Sequence, residues 1–237
     1  MLIMVKKMEQ ITENIIAYIH TDYNEKFGIP RQSGLAPSVQ GRIVFQPEFR
    51  DPEAVRGLEG FSHIWLIWGF SQSKSMDWSP TIRPPRLGGT KSVGVFASRS
   101  PFRPNPLALS VARIVSIAED TKEGPVIIIS GTDLMDGTPI YDIKPYVPYS
   151  DSIPDALDGF ATPDMKHLDV VISEEIRKRI PEEKLEALIG ILSLDPRPAY
   201  QHDPGRTYGF VFAGMEIRFH VENETTVVVS EVMPAKA

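Results

Sequence analysis

Four short stretches of the chain gather residue types that bind or move charge. Residues 98–106, "SRSPFRPNP", set Arg99, Arg103 and Asn105 among Pro101, Pro104 and Pro106. Each proline fixes φ, removes a backbone donor and keeps its predecessor out of the helical region. The loop is held extended and loses little entropy when it grips a ligand. Two arginines four apart in extended chain tend toward one face, so the stretch reads as a binding loop rather than a plain strand connection. Residues 133–138, "DLMDGT", place Asp133 and Asp136 where a carboxylate can accept hydrogen bonds from hydroxyl or amino groups. Asp-Gly is itself a preferred turn pair, which accounts for Asp136 and leaves Asp133 to be explained. Residues 30–34, "PRQSG", form a loop with an arginine and an amide. Residues 141–146, "YDIKPY", pack Asp142, Lys144, Tyr141 and Tyr146 into one strand, which Pro145 places at a sheet edge. A proton acceptor can lie there, or the strand can simply show a polar face to water. His63, inside an apolar run, reads as a core histidine.

Net charge is −6, yet residues 78–118 hold Arg83, Arg86, Lys91, Arg99, Arg103 and Arg113 with no Asp or Glu. A basic island in an acidic chain points to a local anionic ligand. A solvated strand edge would also carry basic residues, but arginine predominates, and its fork suits phosphate. The chain has no cysteine, which excludes disulfides, thiolate catalysis and Cys-ligated zinc. His20, His63, His167, His202 and His220 are scattered without metal-ligand spacing, so no metal is expected. No G-x-G-x-x-G opens a helix, and neither a P-loop nor a G-x-S-x-G elbow occurs. A nucleotide-like cofactor must therefore bind outside those frames. Apolar stretches such as residues 64–70 are too short to cross a bilayer, and "MLIMVKKMEQ" lacks a signal peptide's apolar core. A cytoplasmic protein with no membrane partner is expected.

These stretches need elements to position them. Residues 15–20, 41–47 and 61–70 read as strands, the last as fully buried. Residues 49–61 hold at most a short helix begun by Asp51-Pro52. Strands at 93–97 and 107–117 flank the proline loop, and 125–135 with 138–147 read as a hairpin about Asp136-Gly137. The fold class is therefore mainly β: an N-terminal antiparallel β-barrel domain (8–155) with a smaller C-terminal α+β domain (163–237). An acidic, Pro/Gly-containing linker at 151–164 joins them. In the second domain Ser173 caps one helix, and Pro181 opens another buried along Leu185, Leu188, Ile189 and Leu192. "DPRPAY" (195–200) ends that helix, and strands follow at 208–212, 216–221 and 225–230.

"PRQ", "V-x-GLE-x-FSH-x-W", "RPPRLGG", "GVFA-S-RSPFRPNP" and "DL-x-DGTP-x-x-DIKPY" occur in this order. The ordered set resembles the TsaA/TrmO family of tRNA (adenine-N6)-methyltransferases over most of residues 15–150. "DPRPAY" and "TY" at 207–208 extend the likeness. The resemblance implies a β-barrel catalytic domain, S-adenosylmethionine as donor, and a homodimer. The implied acceptor is N6 of threonylcarbamoyladenosine, 3′ of the anticodon in threonine tRNA, reached in the anticodon stem-loop. By motif, Pro30, Arg31, Gln32, Ser71, Gln72, Arg99, Leu109, Asp133, Leu134, Met135 and Asp136 would hold the donor. Family members commonly carry His where Ser71 stands and Gly where Ala108 stands.

On that footing Arg31 or Arg99 would take the methionyl carboxylate or a neighbouring RNA phosphate, and Asp133 and Asp136 the ribose or adenine. Asp142, Lys144 or Tyr146 would help the N6 proton leave, with the choice among the three open. Arg83, Arg86, Lys91, Arg103 and Arg113 would track anticodon-stem phosphates, and Phe102 and Tyr146 would offer stacking platforms for loop bases. A non-catalytic RNA-binding β-barrel would explain the basic island and the stiff loop but not the aspartates or the PRQ loop. A small-molecule hydrolase lacks a nucleophile–base pair.

Overall fold

The structure, a computed structural model, describes residues 11–71, 77–120, 122–161, 167–197, 203 and 205–235, without the side chains of Arg86, Glu119 and Asp120. The expected domain limits at 8 and 163 fall outside these residues, as do Gln72 and residues 198–200 of "DPRPAY".

Alternating apolar residues build the first six long strands. Strands β1 (Ala17–Thr21) and β2 (Gln40–Phe45) turn Ala17, Ile19, Ile43 and Phe45 into one core. Between β2 and β3 (His63–Gly69) the chain makes three 3-10 turns instead of a helix, the second capped by the Asp51 carboxylate, which accepts from the Glu53 amide at 2.9 Å. Only one face of β3 is in the interior. Ile64 and Leu66 are wholly buried, whereas Trp65 and Ile67 stand half-buried on the outer wall, so the run expected to be covered on both faces is not.

Strands β4 (Thr81–Ile82) and β5 (Val93–Gly94) form a two-stranded ribbon outside the main sheet. The strand expected at 93–97 stops after two residues. The Val95 amide turns to the Pro80 carbonyl (3.0 Å), and Val95–Ala97 close a 3-10 turn. Strand β6 (Leu107–Asp120) is longer than expected and passes alongside β3 and β7 (Gly124–Ser130); β8 (Thr138–Pro145) follows.

The strands pair in the order β1-β2-β7-β6-β3-β8, and β8 returns to β1, closing an antiparallel barrel. This overturns two expectations. β7 and β8 do not form a hairpin, because β2 and β1 lie between them. Residues 131–137 instead cross one end of the barrel, where the Asp136 amide donates to the Tyr23 carbonyl and the Gly137 amide to that of Ile19, both at 2.9 Å. The Asp-Gly pair still makes its turn, with Gly137 at φ +70°, but the turn docks on β1 rather than linking ladder partners. Strand β8 is also not an edge. It pairs with β3 and β1, and Pro145 is tolerated as its last residue.

After α1 (Pro148–Asp151), a short β9 (Asp169–Val171) runs parallel to the last strand, a pairing without a local signature. Helices α2 (Glu174–Arg177) and α3 (Glu182–Ser193) follow, with the Ser173 hydroxyl accepting from the Ile176 amide. Strands β10 (Tyr208–Phe212), β11 (Met215–Glu222) and β12 (Thr226–Pro234) complete a sheet of order β10-β11-β12-β9. Helix α3 buries Leu185, Leu188 and Leu192 as expected, but Ile189 is 39% exposed, and Ala187 and Ile191 fill the seam instead. Two apolar cores result, one inside the barrel and one between α3 and the second sheet. The second core also contains Tyr23, Ala36 and Val39, which belong to the connection between β1 and β2.

Candidate functional site

Three stretches far apart in sequence meet at the barrel end crossed by residues 131–137. The Gly34 amide donates to the Gly131 carbonyl at 2.7 Å, which lays the 30–34 loop along the crossing. Arg99 Nη1 donates to the side-chain oxygen of Gln32, so the proline loop reaches the same place. Pro30 is buried while Arg31, Gln32 and Arg99 are exposed, giving a rigid base with a cationic rim. Asp133 lies at the centre. Burial pushes its carboxyl above the usual value. The Ser110 hydroxyl, the Asp133 and Ser33 amides and the Arg99 charge pull the other way. Its Oδ1 is buried and has no hydrogen-bond partner. A buried acceptor left bare is costly unless a ligand supplies the donor. Ser110, on the inner face of β6, also accepts from the Trp68 indole at 3.0 Å.

The neighbouring residues form the wall. Leu134 is buried, its amide donating to the Thr132 hydroxyl (3.1 Å) and its carbonyl accepting from the Thr21 hydroxyl (3.0 Å). Met135 is half-buried, and its carbonyl accepts from the Thr138 hydroxyl at 2.7 Å. Asp136 Oδ1 is already engaged. It accepts from the Thr21 amide at 3.1 Å and lies 3.4 Å from His20 Nδ1, so this carboxylate fastens the crossing to β1.

The model of the tRNA-methyltransferase O N-terminal domain matches residues 18–152, and that of the TrmO C-terminal domain matches residues 165–235. The chain belongs to the TrmO family. It is 38% identical over 215 residues to the tRNA (adenine(37)-N6)-methyltransferase of Escherichia coli K12, covering 87% of this chain and 91% of that protein. A Pseudomonas aeruginosa protein, provisionally named S-adenosylmethionine-dependent methyltransferase RcsF, is 40% identical over 225 residues, covering 92% and 95%. A crystal structure of TrmO from P. aeruginosa superposes with a TM-score of 0.79 at 34% identity, over 97% of this chain and 99% of that one.

In this TrmO-family chain, Leu109 and Ser71 belong to the barrel wall, on β6 and just past β3. Leu109 is 50% exposed on the outer face of β6, opposite Ile67, and Ser71 is half-buried just past the end of β3. Asp142 is the register partner of Ile67 on its other side. With strands roughly 4.8 Å apart, Asp142 and Leu109 stand about 10 Å from each other on one face. Lys144 and Tyr146 run progressively away along β8. Lys144 Nζ is 2.9 Å from Asp142 Oδ2, and Tyr146 packs its ring on Trp65 (5.7 Å) and His63 (6.2 Å). His63 is therefore on the half-buried outer wall rather than in the core expected for it.

The basic residues do not form one patch. Arg83 and Lys91 are exposed on the β4–β5 ribbon, beside the proline loop. Arg103 Nη1 donates to the Ser98 carbonyl at 3.0 Å, bracing the loop it sits in. Arg113 is six residues along β6 from Leu107, roughly 20 Å away at strand spacing. Of Arg86 only the backbone is described.

Several participants carry no signature in the sequence. Ser110 and Ser33 reach Asp133, and Tyr23 shares its electrostatic environment, the phenol being pushed up by burial and then by the Asp133 and Asp22 charges. The exposed aromatics of the ribbon are Trp78 (53%) and Phe96 (75%), whereas Phe102, the platform expected there, is half-buried. Exposure of a lone aromatic leaves no mark in sequence. Ser110 showed only as an ordinary member of an alternating strand. Among the described residues, no three His, Asp or Glu side chains are gathered as metal ligands, and no helix is long and apolar enough to cross a membrane.

Proposed function

We propose that this protein is an S-adenosylmethionine-dependent tRNA methyltransferase acting on N6 of an adenine. The substrate we assign is threonylcarbamoyladenosine 3′ of the anticodon in threonine tRNA, presented in the anticodon stem-loop. The observation that carries the reading is the convergence of the 30–34, 98–106 and 131–136 stretches around the bare, buried Asp133 Oδ1 beside Arg99. The relatives' names supply the reaction class.

The residues present fit the donor. Bound S-adenosylmethionine supplies an activated methyl group, and the protein supplies position and electrostatics. Asp133 Oδ1 accepts from a ribose hydroxyl or the adenine amine. Arg31 and Arg99 face the methionyl carboxylate or the adjoining phosphate. Pro30, Gln32, Ser71, Leu109, Leu134 and Met135 shape the pocket, and Asp136 acts by holding the crossing to β1. Methyl transfer requires the reacting atoms in line at about 3–3.5 Å. Of the three candidates on β8, Asp142 is nearest the Leu109 face, and we assign it the N6 proton, with Lys144 as its ion-pair partner. Tyr146, braced on Trp65, lines the RNA side.

Trp78 and Phe96 offer bases a stacking surface next to Arg83 and Lys91. We assign residues 8–155 to the catalytic domain and 163–237 to the C-terminal domain. We further infer a cytoplasmic homodimer. Leu107 and Val115 expose apolar surface along β6, which a second copy would cover. The test is transfer from labelled S-adenosylmethionine to two tRNA pools, with and without threonylcarbamoyladenosine. Label only in the modified pool establishes enzyme and acceptor. Label in both keeps the enzyme and discards the acceptor. Label in neither, with donor bound, leaves a non-catalytic RNA-binding barrel.

A further inference from the structure

The 30–34 loop lies within an 18-residue connection, 22–39, that has no helix or strand of its own. A loop of that length is ordinarily mobile unless something outside it fixes its course. Here the fixing contacts come from the C-terminal unit. Tyr23 forms an antiparallel bridge with Phe212, adding to the free edge of β10, and their rings pack at 5.9 Å. The Ala213 amide donates to the Asp22 carbonyl at 3.1 Å. The Val211 amide, otherwise bare on that edge, donates to the Glu25 carboxylate at 2.7 Å. Lys184 of α3 holds Asp22 at 2.6 Å in a part-buried ion pair. Gly28 lies against Phe210, where a Cβ would come within 2.6 Å of the ring. Ala36 and Val39 anchor the far end in the α3 core.

The same connection is bonded to the donor cluster on its other side. The Tyr23 carbonyl accepts from Asp136, the Tyr23 amide donates to the Thr21 hydroxyl, and that hydroxyl donates to the Leu134 carbonyl. Ser33 reaches Asp133, and Gly34 is tied to Gly131. Residues 22–39 are thus a strap with one face on β10 and α3 and the other on the Asp133 crossing.

We propose that the C-terminal unit positions the S-adenosylmethionine pocket through this strap, with Lys184 and Glu25 as positioning residues and neither touching the donor. The inference rests on the reading of the Asp133 cluster as the donor site. The alternative is that these contacts merely glue two units together while the C-terminal unit serves RNA alone.

The experiment compares donor and RNA affinity in full-length Lys184→Met, Lys184→Arg and Glu25→Gln proteins, well below their melting temperatures. Titration calorimetry reads S-adenosylmethionine, and filter binding reads the modified tRNA. We expect Lys184→Met and Glu25→Gln to weaken donor binding by about 5- to 30-fold, the lower part of the range of ordinary site-to-site coupling, with tRNA affinity within about twofold, and Lys184→Arg to restore most of it. A second measurement uses wild-type protein only. Because coupling is reciprocal, S-adenosylmethionine must slow amide exchange in 22–39 and in β10 and α3. Unchanged donor affinity in both variants, a loss confined to tRNA, or protection confined to the barrel overturns the proposal. Wild-type protein that binds no S-adenosylmethionine overturns the donor-site reading beneath it.

Discussion

Replacing Asp133 by Asn keeps the size and one oxygen of the side chain and removes its charge. Two consequences follow with opposite signs. For stability, a carboxyl held above its ordinary value binds its proton more tightly in the folded chain than in the unfolded one. The wild type therefore loses stability as pH rises from the unfolded value through the raised one, and above that window the loss is complete. Asn carries no such penalty, so at pH 7.5 the variant should melt no lower than the wild type, and its advantage should vanish as pH falls below the window. For the ligand, a hydrogen bond to a charged acceptor is worth about 1.5–3 kcal/mol, and a neutral one roughly half. Asp133→Asn should then raise the S-adenosylmethionine Kd by about 3- to 12-fold, and Asp133→Ala by about 12- to 150-fold. Wild-type affinity should also fall as pH drops through the raised carboxyl value, while the Asn variant stays flat. Calorimetric titration from pH 5 to 8, with melting curves at each pH, tests all of this. Unchanged donor affinity, or an Asn variant melting several degrees lower at pH 7.5, would show that Asp133 is a structural acid and that its bare oxygen holds no donor.

Asp142→Asn should lower kcat by about 10²-fold or more with S-adenosylmethionine binding intact, the usual cost of a lost general base; single-turnover methyl transfer reads it. Trp78→Ala and Phe96→Ala should each raise the KM for tRNA by about 5- to 150-fold, the 1–3 kcal/mol of one lost stack, and leave the donor Kd alone. Arg83→Ala and Lys91→Ala should each flatten the salt dependence of tRNA binding by about one counterion, whereas Arg113→Ala, roughly 20 Å along β6, should flatten it less. Gly28→Ala places a methyl 2.6 Å from the Phe210 ring at φ +92°; it should cost about 1–3 kcal/mol in chemical denaturation.

The barrel strands were legible because short apolar runs bounded by Gly, Pro and polar residues mark them; that only the Ile64 and Leu66 face of β3 would be buried was not. What was not legible is which strand meets which. The Asp136-Gly137 pair has the local chemistry of a hairpin, but pairing is decided by ring closure, which puts β1 and β2 between β7 and β8. Ile189 matched the helical repeat and still faces outward, since Ala187 and Ile191 fit the seam against the second sheet. The site was partly legible. Asp133 stood out because the turn did not need it, and Arg99 because the loop was stiff. Asp136 was given a ligand; that its Oδ1 also meets the Thr21 amide and His20 depends on how the crossing docks on β1. Tyr23, Ala36 and Val39 are single apolar residues in a polar, proline-bearing stretch. No period announces them, and their burial depends on a sheet that begins well over a hundred residues later.

That separation has a consequence for how the protein is made. Tyr23 leaves the ribosome roughly 190 residues before Phe212, and at about 5–20 residues per second the interval is on the order of 10–40 s. Throughout it the barrel's own strands can pair, since β1 to β8 are all available by residue 145. The strap cannot, and its apolar side chains wait in water for β10 and α3. On the proposed role of the strap, donor-binding competence arrives late in synthesis and nearly all at once, and a chain arrested after the barrel holds the assigned catalytic residues without the geometry to use them.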